Sequence, residues 1–502
     1  MRLFGIETEY GLAVEGRSAR EQMEDAAALV ASCPAEAFAG WDYAFESPRA
    51  DIRGFEVERL TRDPADAKWD EGRPSGYEHE LRSDRVLTNG ARFYNDHGHP
   101  EYATPECARI ADLVAHDLAG ERIALAAARA YQDKIGRKVR LYKNNTDFHG
   151  ASYGTHESYL VQRDTGCEEL ISGLLPLFVA RPILTGGGKV GSEVGRSCRY
   201  QLSQRAEFFH ETASVETLYR RPVFNTRDEP HADPKRWMRL HVICGDANRM
   251  PWAIAMKAAM VRLALDLIEM GEAPVWRVGN PARALAHVSK DPDMKWRIEL
   301  DGGSWTTAPE VLESYLAASE RLLRGRDAET DWAIGEWRVA MLDLAADPMR
   351  LKDRCDWAAK LAMLEEYADS AGGWKNEQMQ ALDLEYHNLD PDEGLFSALQ
   401  GMGRVQTVVE EDRILDAMTV PPGETRARLR GDAVARFCDR IETIGWRRVV
   451  FNVEGESKAV ELPVEPRDWT DADETVKIEE WIARIEQVQK NRTVSNVSEE
   501  SH

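Results

Sequence analysis

The chain opens on an alternating stretch. Over residues 2–12, Leu3, Gly5, Glu7 and Glu9 point one way and Phe4, Ile6, Thr8 and Tyr10 the other, the period-two pattern of a strand with one apolar face. Further strand-like runs fall at 86–94, 138–144, 158–162, 239–244 and 296–300. Apolar residues at 3.6-residue spacing predict helices over 104–134, 168–180, 251–271, 309–324, 330–346 and 352–370. Residues 36–83 lose both periods and mix charge with aromatics, so they read as a long loop or insertion, functional or disordered. Strands dominate the first half and helices the third quarter, which points to an α+β fold rather than an alternating parallel sheet. Pro421-Pro422-Gly423 punctuates the chain before a helix near 424–442 and two short strands, 448–453 and 458–462. The expected organisation is a large domain, 1–420, carrying an inserted loop at 37–79, then a small C-terminal domain, 421–490. The polar tail at 491–502 reads as disordered.

Charge narrows the classes of partner. The 502 residues carry 64 Lys and Arg against 87 Asp and Glu, a formal net charge of −23. Such a surface repels nucleic acid and anionic membranes, so neither is expected as a partner, although local basic patches stay open. The most apolar helix, 251–270, is broken by Lys257, Arg262, Asp266 and Glu269, too many charges for a lipid-facing span. The first residues turn acidic at once and lack the apolar core and cleavage site of an export signal. Seven scattered cysteines without a C-x-x-C pair complete the expectation of a reducing cytoplasm, with no disulfides and no structural zinc.

Three groups of residues carry candidate chemistry. Glu7 and Glu9, two apart on a strand, project side by side at roughly 7 Å, a spacing suited to hard cations near phosphate. Taken alone, the tripeptide fits a solvated strand face better. The segment 89–106 gathers Arg92, Asp96, His97, His99, Glu101 and Glu106 between a strand and a helix, beside Gly and Pro expected to place them on a sharp loop. That mixture could supply metal ligands, a phosphate-binding arginine and a general base. A third group, Lys143 to Asp147, Ser152 to Glu157, Gln204-Arg205, Asn225 to His231 and Arg239-Leu240-His241, places Arg and His at strand ends where bonds to a polyphosphate could converge. The glycine-rich run 185–191 lacks the order of a phosphate loop and reads as a flexible loop. From residues alone the reading stops at a Mg²⁺-nucleotide site with a spare Asp.

These motifs resemble the family of Pup ligases and Pup deamidase/depupylases, relatives of glutamine synthetase and the carboxylate-amine ligases. The resemblance rests on Gly5-Ile6-Glu7-Thr8-Glu9-Tyr10-Gly11, the 89–106 block, KNNTD, SYGTHESYL, NTRDEPHAD, RLHVICGDAN and the segment 425–431. It implies a glutamine synthetase-like large domain, a curved antiparallel sheet backed by helices, with a small C-terminal domain. The insertion, the Asp96-His97-Gly98-His99-Pro100-Glu101 spacing and the 150–154 and 185–191 segments are similar to the depupylase. The opening heptad is closer to the ligase. The resemblance implies an amidohydrolase acting on the C-terminal Gln side chain of the modifier Pup and on Pup–lysine isopeptides. A Pup ligase and a catalytically silent Pup-binding module are the alternatives. It further implies Asp96 as the catalytic carboxylate, as nucleophile or as base. Glu7, Tyr94 and Glu101 match magnesium positions, with Glu9, His156 and His241 as additional ligands or their supports. Arg92, Thr104 and Trp446 match nucleotide contacts, while Arg205 and Arg227 face phosphates. ATP, or ADP plus phosphate, and Mg²⁺ are the implied cofactors. Pup, acidic and disordered, and pupylated proteins are the implied partners, for which Arg205, Lys235, Arg236 and Arg239 are candidates for a local basic stripe.

Overall fold

Seven antiparallel strands form the main sheet: β1 (Phe4–Glu9), β2 (Ala37–Phe38), β3 (Asp84–Leu87), β4 (Arg92–Asp96), β5 (His99–Ala103), β6 (Thr155–Gln162) and β7 (Trp237–Val242), in the spatial order β7-β6-β1-β5-β4-β3-β2. The computed structural model describes residues 2–61, 82–453, 455–464 and 483. The outer part of the expected insertion, residues 465–490 apart from 483, and the 491–502 tail lie outside the described residues. No described helix is long and apolar enough to cross a membrane, and all seven cysteines are free thiols.

The alternation of β1 becomes the division of the sheet into two faces. Phe4 and Ile6 join Tyr159, Val161, Leu240 and Val242 in a core shared with α2 (Ile110–Ile135), α3 (Cys167–Ala180) and α4 (Pro251–Glu269). Phe93 and Tyr102 continue that face toward Ile123 and Ala127 of α2 and Leu29 of α1 (Gln22–Ala31). Buried Ala115, Ala119, Ala124, Ala127 and Ala128 let α2 lie close to its neighbours. Each large apolar side chain buried here contributes about 1.5–3 kcal/mol. The other face bears the polar residues of β1.

The C-terminal unit comprises α5 (Ala427–Phe437) and an antiparallel sheet of β8 (Ile441–Ile444), β9 (Arg448–Val453) and β10 (Glu456–Glu461). Val434, Phe437, Ile444 and Val449 pack with Trp41 and Val86, so residues far earlier in the chain complete this core. Glu106 anchors the unit by accepting from Arg426 Nε at 2.5 Å and from Arg430.

Several expectations change. Helix α2 starts at Ile110 rather than 104 because residues 104–109 stay extended, with Phe4 and Cys107 exchanging backbone hydrogen bonds of 2.9 and 2.8 Å. The 89–106 block is a β-hairpin, not a loop. Asp96 pairs with His99 across a two-residue turn in which His97 and Gly98 both have positive φ, 45° and 90°. That is the turn geometry matching the twist of an antiparallel pair, and glycine adopts it without strain. Within the insertion, β2 joins the main sheet, and Ala50–Asp51 pairs with Phe55–Glu56. The 185–191 run is buried, its Lys189–Val190 strand paired with Tyr200–Gln201 and its Gly187 and Gly188 carbonyls accepting from buried Lys360. It is not a flexible loop.

Candidate active site

Register across the sheet decides which side chains meet. Directly opposed residues of an antiparallel pair project to the same face. Glu7 opposes His156 on β6 and Ala103 on β5; Glu9 opposes Glu101, which opposes Tyr94 on β4. His241 opposes Ser158, which opposes Gly5. Glu7, Glu9, Tyr94, Asp96, Glu101, His156, Arg239 and His241, from five strands, therefore share the face turned away from the helices.

Two clusters form on it, each with ligand atoms within 4.8 Å of one another: Glu7, His156 and His241, and Glu9, Asp96 and Glu101. The resemblance names Glu7, Tyr94 and Glu101 as magnesium positions, and the Glu7 charge acts on both Tyr94 and Glu101 across the gap between the clusters. Glu7 Oε2 lies 3.7 Å from His156 Nδ1 and 3.8 Å from His241 Nε2, and Glu7 Oε1 lies 3.3 Å from Arg239 Nη1. Burial would raise the Glu7 carboxyl, but the His156 hydrogen bond and the charges of Arg239, His156 and Arg227 outweigh it and bring its pKa down to about 2. Burial, then Arg239, pushes His241 well below the usual histidine range, so its imidazole is neutral. Both its ring nitrogens are buried without a hydrogen-bond partner. A neutral, orphaned imidazole beside an ionised carboxylate fits a cation ligand.

The second cluster is crowded with negative charge. Burial, then Asp96, raises the carboxyls of Glu9 and Glu101, and that of Glu101 goes well above its ordinary value. Tyr94 donates its hydroxyl to Glu101 Oε1 at 2.6 Å. Glu101 is 2% exposed, while the Asp96 side chain, at the hairpin tip, is 40% exposed. All-oxygen donors with surplus negative charge fit Mg²⁺, which takes a few carboxylates plus water and phosphate.

A pocket runs from Glu7 past Gly5, Ser158, Thr104, Arg239 and His231 to Trp446. Trp446 meets Trp41 edge-on at 5.1 Å and lies nearly parallel to His231 at 6.1 Å. Thr104 Oγ1 accepts from the Ile6 amide at 3.0 Å. Arg227 borders Glu7, its Nε buried without a partner, and burial lowers its pKa. Arg205, 1% exposed, donates to the Ile243 carbonyl at 2.5 Å, and burial, then Arg221, lowers its pKa to about 10. Arg92, directly opposite pocket-lining Ala103, is held by Asp84 at 2.6 and 2.9 Å between the rings of Trp41 and Tyr94. The expected basic stripe is not a surface feature. Arg205 and Arg239 are buried, and only Lys235 and Arg236 are exposed.

Sequence reasoning passes over Asp84 and the roles of Glu229 and Arg239. The alternation Arg239-Leu240-His241 was the available signal, since it puts Arg239 on the face of His241. Nothing local marks Asp84, and Glu229, although inside the NTRDEPHAD segment, matters through partners distant in the chain.

Residues 2–450 match the family described as Pup-ligase protein. The depupylase of Acidothermus cellulolyticus is 40% identical over 478 residues, covering 92% of this chain and 93% of the relative. The Pup deamidase/depupylase of Mycolicibacterium smegmatis is 37% identical over 468 residues, covering 91% and 92%. Among solved structures, the Pup ligase PafA in complex with ADP superposes with a TM-score of 0.70 at 29% identity, covering 84% of this chain and 97% of that one. The match runs along nearly the whole length of these relatives, and the chain belongs to the Pup-ligase protein family.

Proposed function

We propose that this enzyme is a Pup deamidase/depupylase. It would hydrolyse the side-chain amide of a C-terminal Gln of Pup and the isopeptide bonds joining Pup to substrate lysines. The observation that carries the reading is the placement of Asp96, an accessible carboxylate beside the Glu9–Glu101 pair on the face that holds the Trp446 pocket. The depupylase names of relatives aligned over nine-tenths of the chain support the hydrolytic direction.

Within this reading Glu9, Glu101 and Tyr94 would hold one Mg²⁺, and Glu7, His156 and His241 a second cation. Thr104 and Trp446 would line the nucleotide pocket, with Arg227 and Arg205 toward phosphate. Nucleotide and Mg²⁺, when bound by these residues, would supply positive charge to polarise the scissile carbonyl. Asp96 acts on that carbonyl as nucleophile, or as base for the attacking group. The carbonyl carbon gains an oxygen from water and loses its C–N bond, and the departing ammonia or lysine amine takes up a water proton. Arg92, fixed by Asp84 and stacked on Tyr94, orients the Tyr94 hydroxyl toward Glu101.

The test supplies the purified protein with Mg²⁺, nucleotide and a Pup–lysine conjugate, following free Pup by mass and ADP by chromatography. Release of Pup without matching ADP formation is expected. ADP formed in step with conjugation of Glu-ended Pup to a lysine target would make the protein a ligase instead.

A further inference from the structure

Glu229 is 5% exposed and lies off the sheet, yet it touches the site from two sides. Its Oε1 accepts from the Ser47 amide at 2.5 Å. Its Oε2 lies 3.5 Å from Arg239 Nη2, 3.9 Å from Arg227 Nη1 and 4.0 Å from His231 Nε2. Arg239 is shared, because its other terminal nitrogen, Nη1, lies 3.3 Å from Glu7 Oε1. The Arg239 Nε is buried without a partner, so the two carboxylates are what divide this guanidinium between them.

The Ser47 contact belongs to a seam. Asp228 donates its amide to the Ala50 carbonyl at 2.8 Å, Ile52 its amide to the Thr226 carbonyl at 2.9 Å, and the Thr226 hydroxyl donates to Asp51 at 2.6 Å. The inner part of the insertion, 47–52, is thereby stitched antiparallel to residues 226–229, which include Arg227.

Resting on the reading of Glu7 as a cation ligand, we propose that Glu229 is a positioning residue that draws Arg239 partly away from Glu7, and that the insertion sets this draw through the Ser47 amide. The physical argument is competition. A buried arginine needs a counter-charge. With the Glu229 carboxylate held by Ser47, Arg239 satisfies half of that need away from Glu7, leaving Glu7 carboxylate density for a cation. Without that charge, Arg239 closes on Glu7 and competes with the cation directly. The relay Ser47–Glu229–Arg239–Glu7 links the insertion to cation affinity over four residues.

The test is the Mg²⁺ dependence of binding of a fluorescent ADP analogue, read by polarisation. Wild-type protein that binds the analogue with no Mg²⁺ dependence would overturn the functional reading itself, independently of the relay. Given that dependence, Glu229→Gln, which keeps the shape and the Ser47 acceptor, is expected to raise the half-saturating Mg²⁺ concentration roughly ten-fold, the scale of one charged hydrogen bond. Affinity for the analogue at saturating Mg²⁺ should stay within about two-fold of wild type. Ser47→Pro, which deletes the half-buried amide, is expected to shift Mg²⁺ dependence in the same direction. In an Arg239→Met background, Glu229→Gln should have no further effect, because the competitor is gone. An unchanged Mg²⁺ requirement in Glu229→Gln, or an effect that persists in the Arg239→Met background, would overturn the relay. A silent Ser47→Pro would overturn the part assigned to the insertion.

Discussion

Glu9 and Glu101 stand directly opposite each other on neighbouring antiparallel strands, two carboxylates brought side by side from β1 and β5. Cross-strand like charges destabilise a sheet, and burial together with Asp96 raises both carboxyls. The sheet tolerates this cost at the place where a cation would relieve it.

Replacing Glu101 with Gln should therefore have opposite effects in two conditions. A raised folded-state pKa means that the ionised group opposes folding at neutral pH and that stability is gained as pH falls. Glu101→Gln is expected to raise the melting temperature of the metal-free protein by about 2–5 °C and to abolish most of the further rise that Mg²⁺ produces. Calorimetry with and without Mg²⁺ checks both.

Asp96→Asn keeps size and removes charge at the exposed hairpin tip. Turnover of a Pup–lysine conjugate should fall at least roughly a thousand-fold, while nucleotide affinity stays within about two-fold. Retained activity would remove Asp96 from the chemistry.

Gly154 lies where a β-carbon would meet Glu9 Oε1 at 2.5 Å and His156 Nε2 at 2.6 Å, one group from each cluster. Gly154→Ala should push both side chains from their positions and weaken Mn²⁺ binding, followed by electron paramagnetic resonance, by about ten-fold. Far-ultraviolet circular dichroism should stay unchanged.

Glu106 gives a pH signature for the link between the sheet and the C-terminal unit. Burial would raise its carboxyl, but Arg430 and Arg426 outweigh it and bring the pKa down to about 2 from 4.5. A depressed folded-state pKa contributes stability that is present above about 4.5 and lost as pH falls through about 2, here on the order of 3 kcal/mol. Glu106→Gln should be less stable than wild type at neutral pH, and the gap should narrow between about pH 4.5 and pH 2 in urea titrations.

Trp446→Ala should weaken nucleotide binding roughly ten-fold through loss of an aromatic face, and Trp446→Phe should recover much of it. Unchanged affinity in Trp446→Ala would place the nucleotide elsewhere.

Much of this was readable along the chain. Alternation in residues 3–10 determined that Glu7 and Glu9 share a face opposite Phe4 and Ile6, because side chains on a strand alternate whatever the strand pairs with. The Gly98 in Asp96-His97-Gly98-His99 belongs to a tight turn, yet the block reads as a loop because His99, Pro100 and Glu101 leave β5 without a run of strand-forming apolar residues. The helix start at 104 was misplaced because residues 104–109 are held extended by pairing with Phe4, a contact invisible in their own composition.

What only the tertiary structure decided is partnership. Local sequence determines which way a side chain points, but strand register is set by pairing between segments far apart, and a one-residue slip would send every side chain to the other face. Register placed Glu7 with His156 and His241 and Glu9 with Glu101. Folding likewise buried Arg205 and Arg239, which the resemblance suggested for a basic stripe, and set Glu229 between the insertion and Arg239. Charge and spacing along the chain determined that a cation and nucleotide site was to be sought, because strand alternation is local; long-range strand pairing alone determined which residues build it.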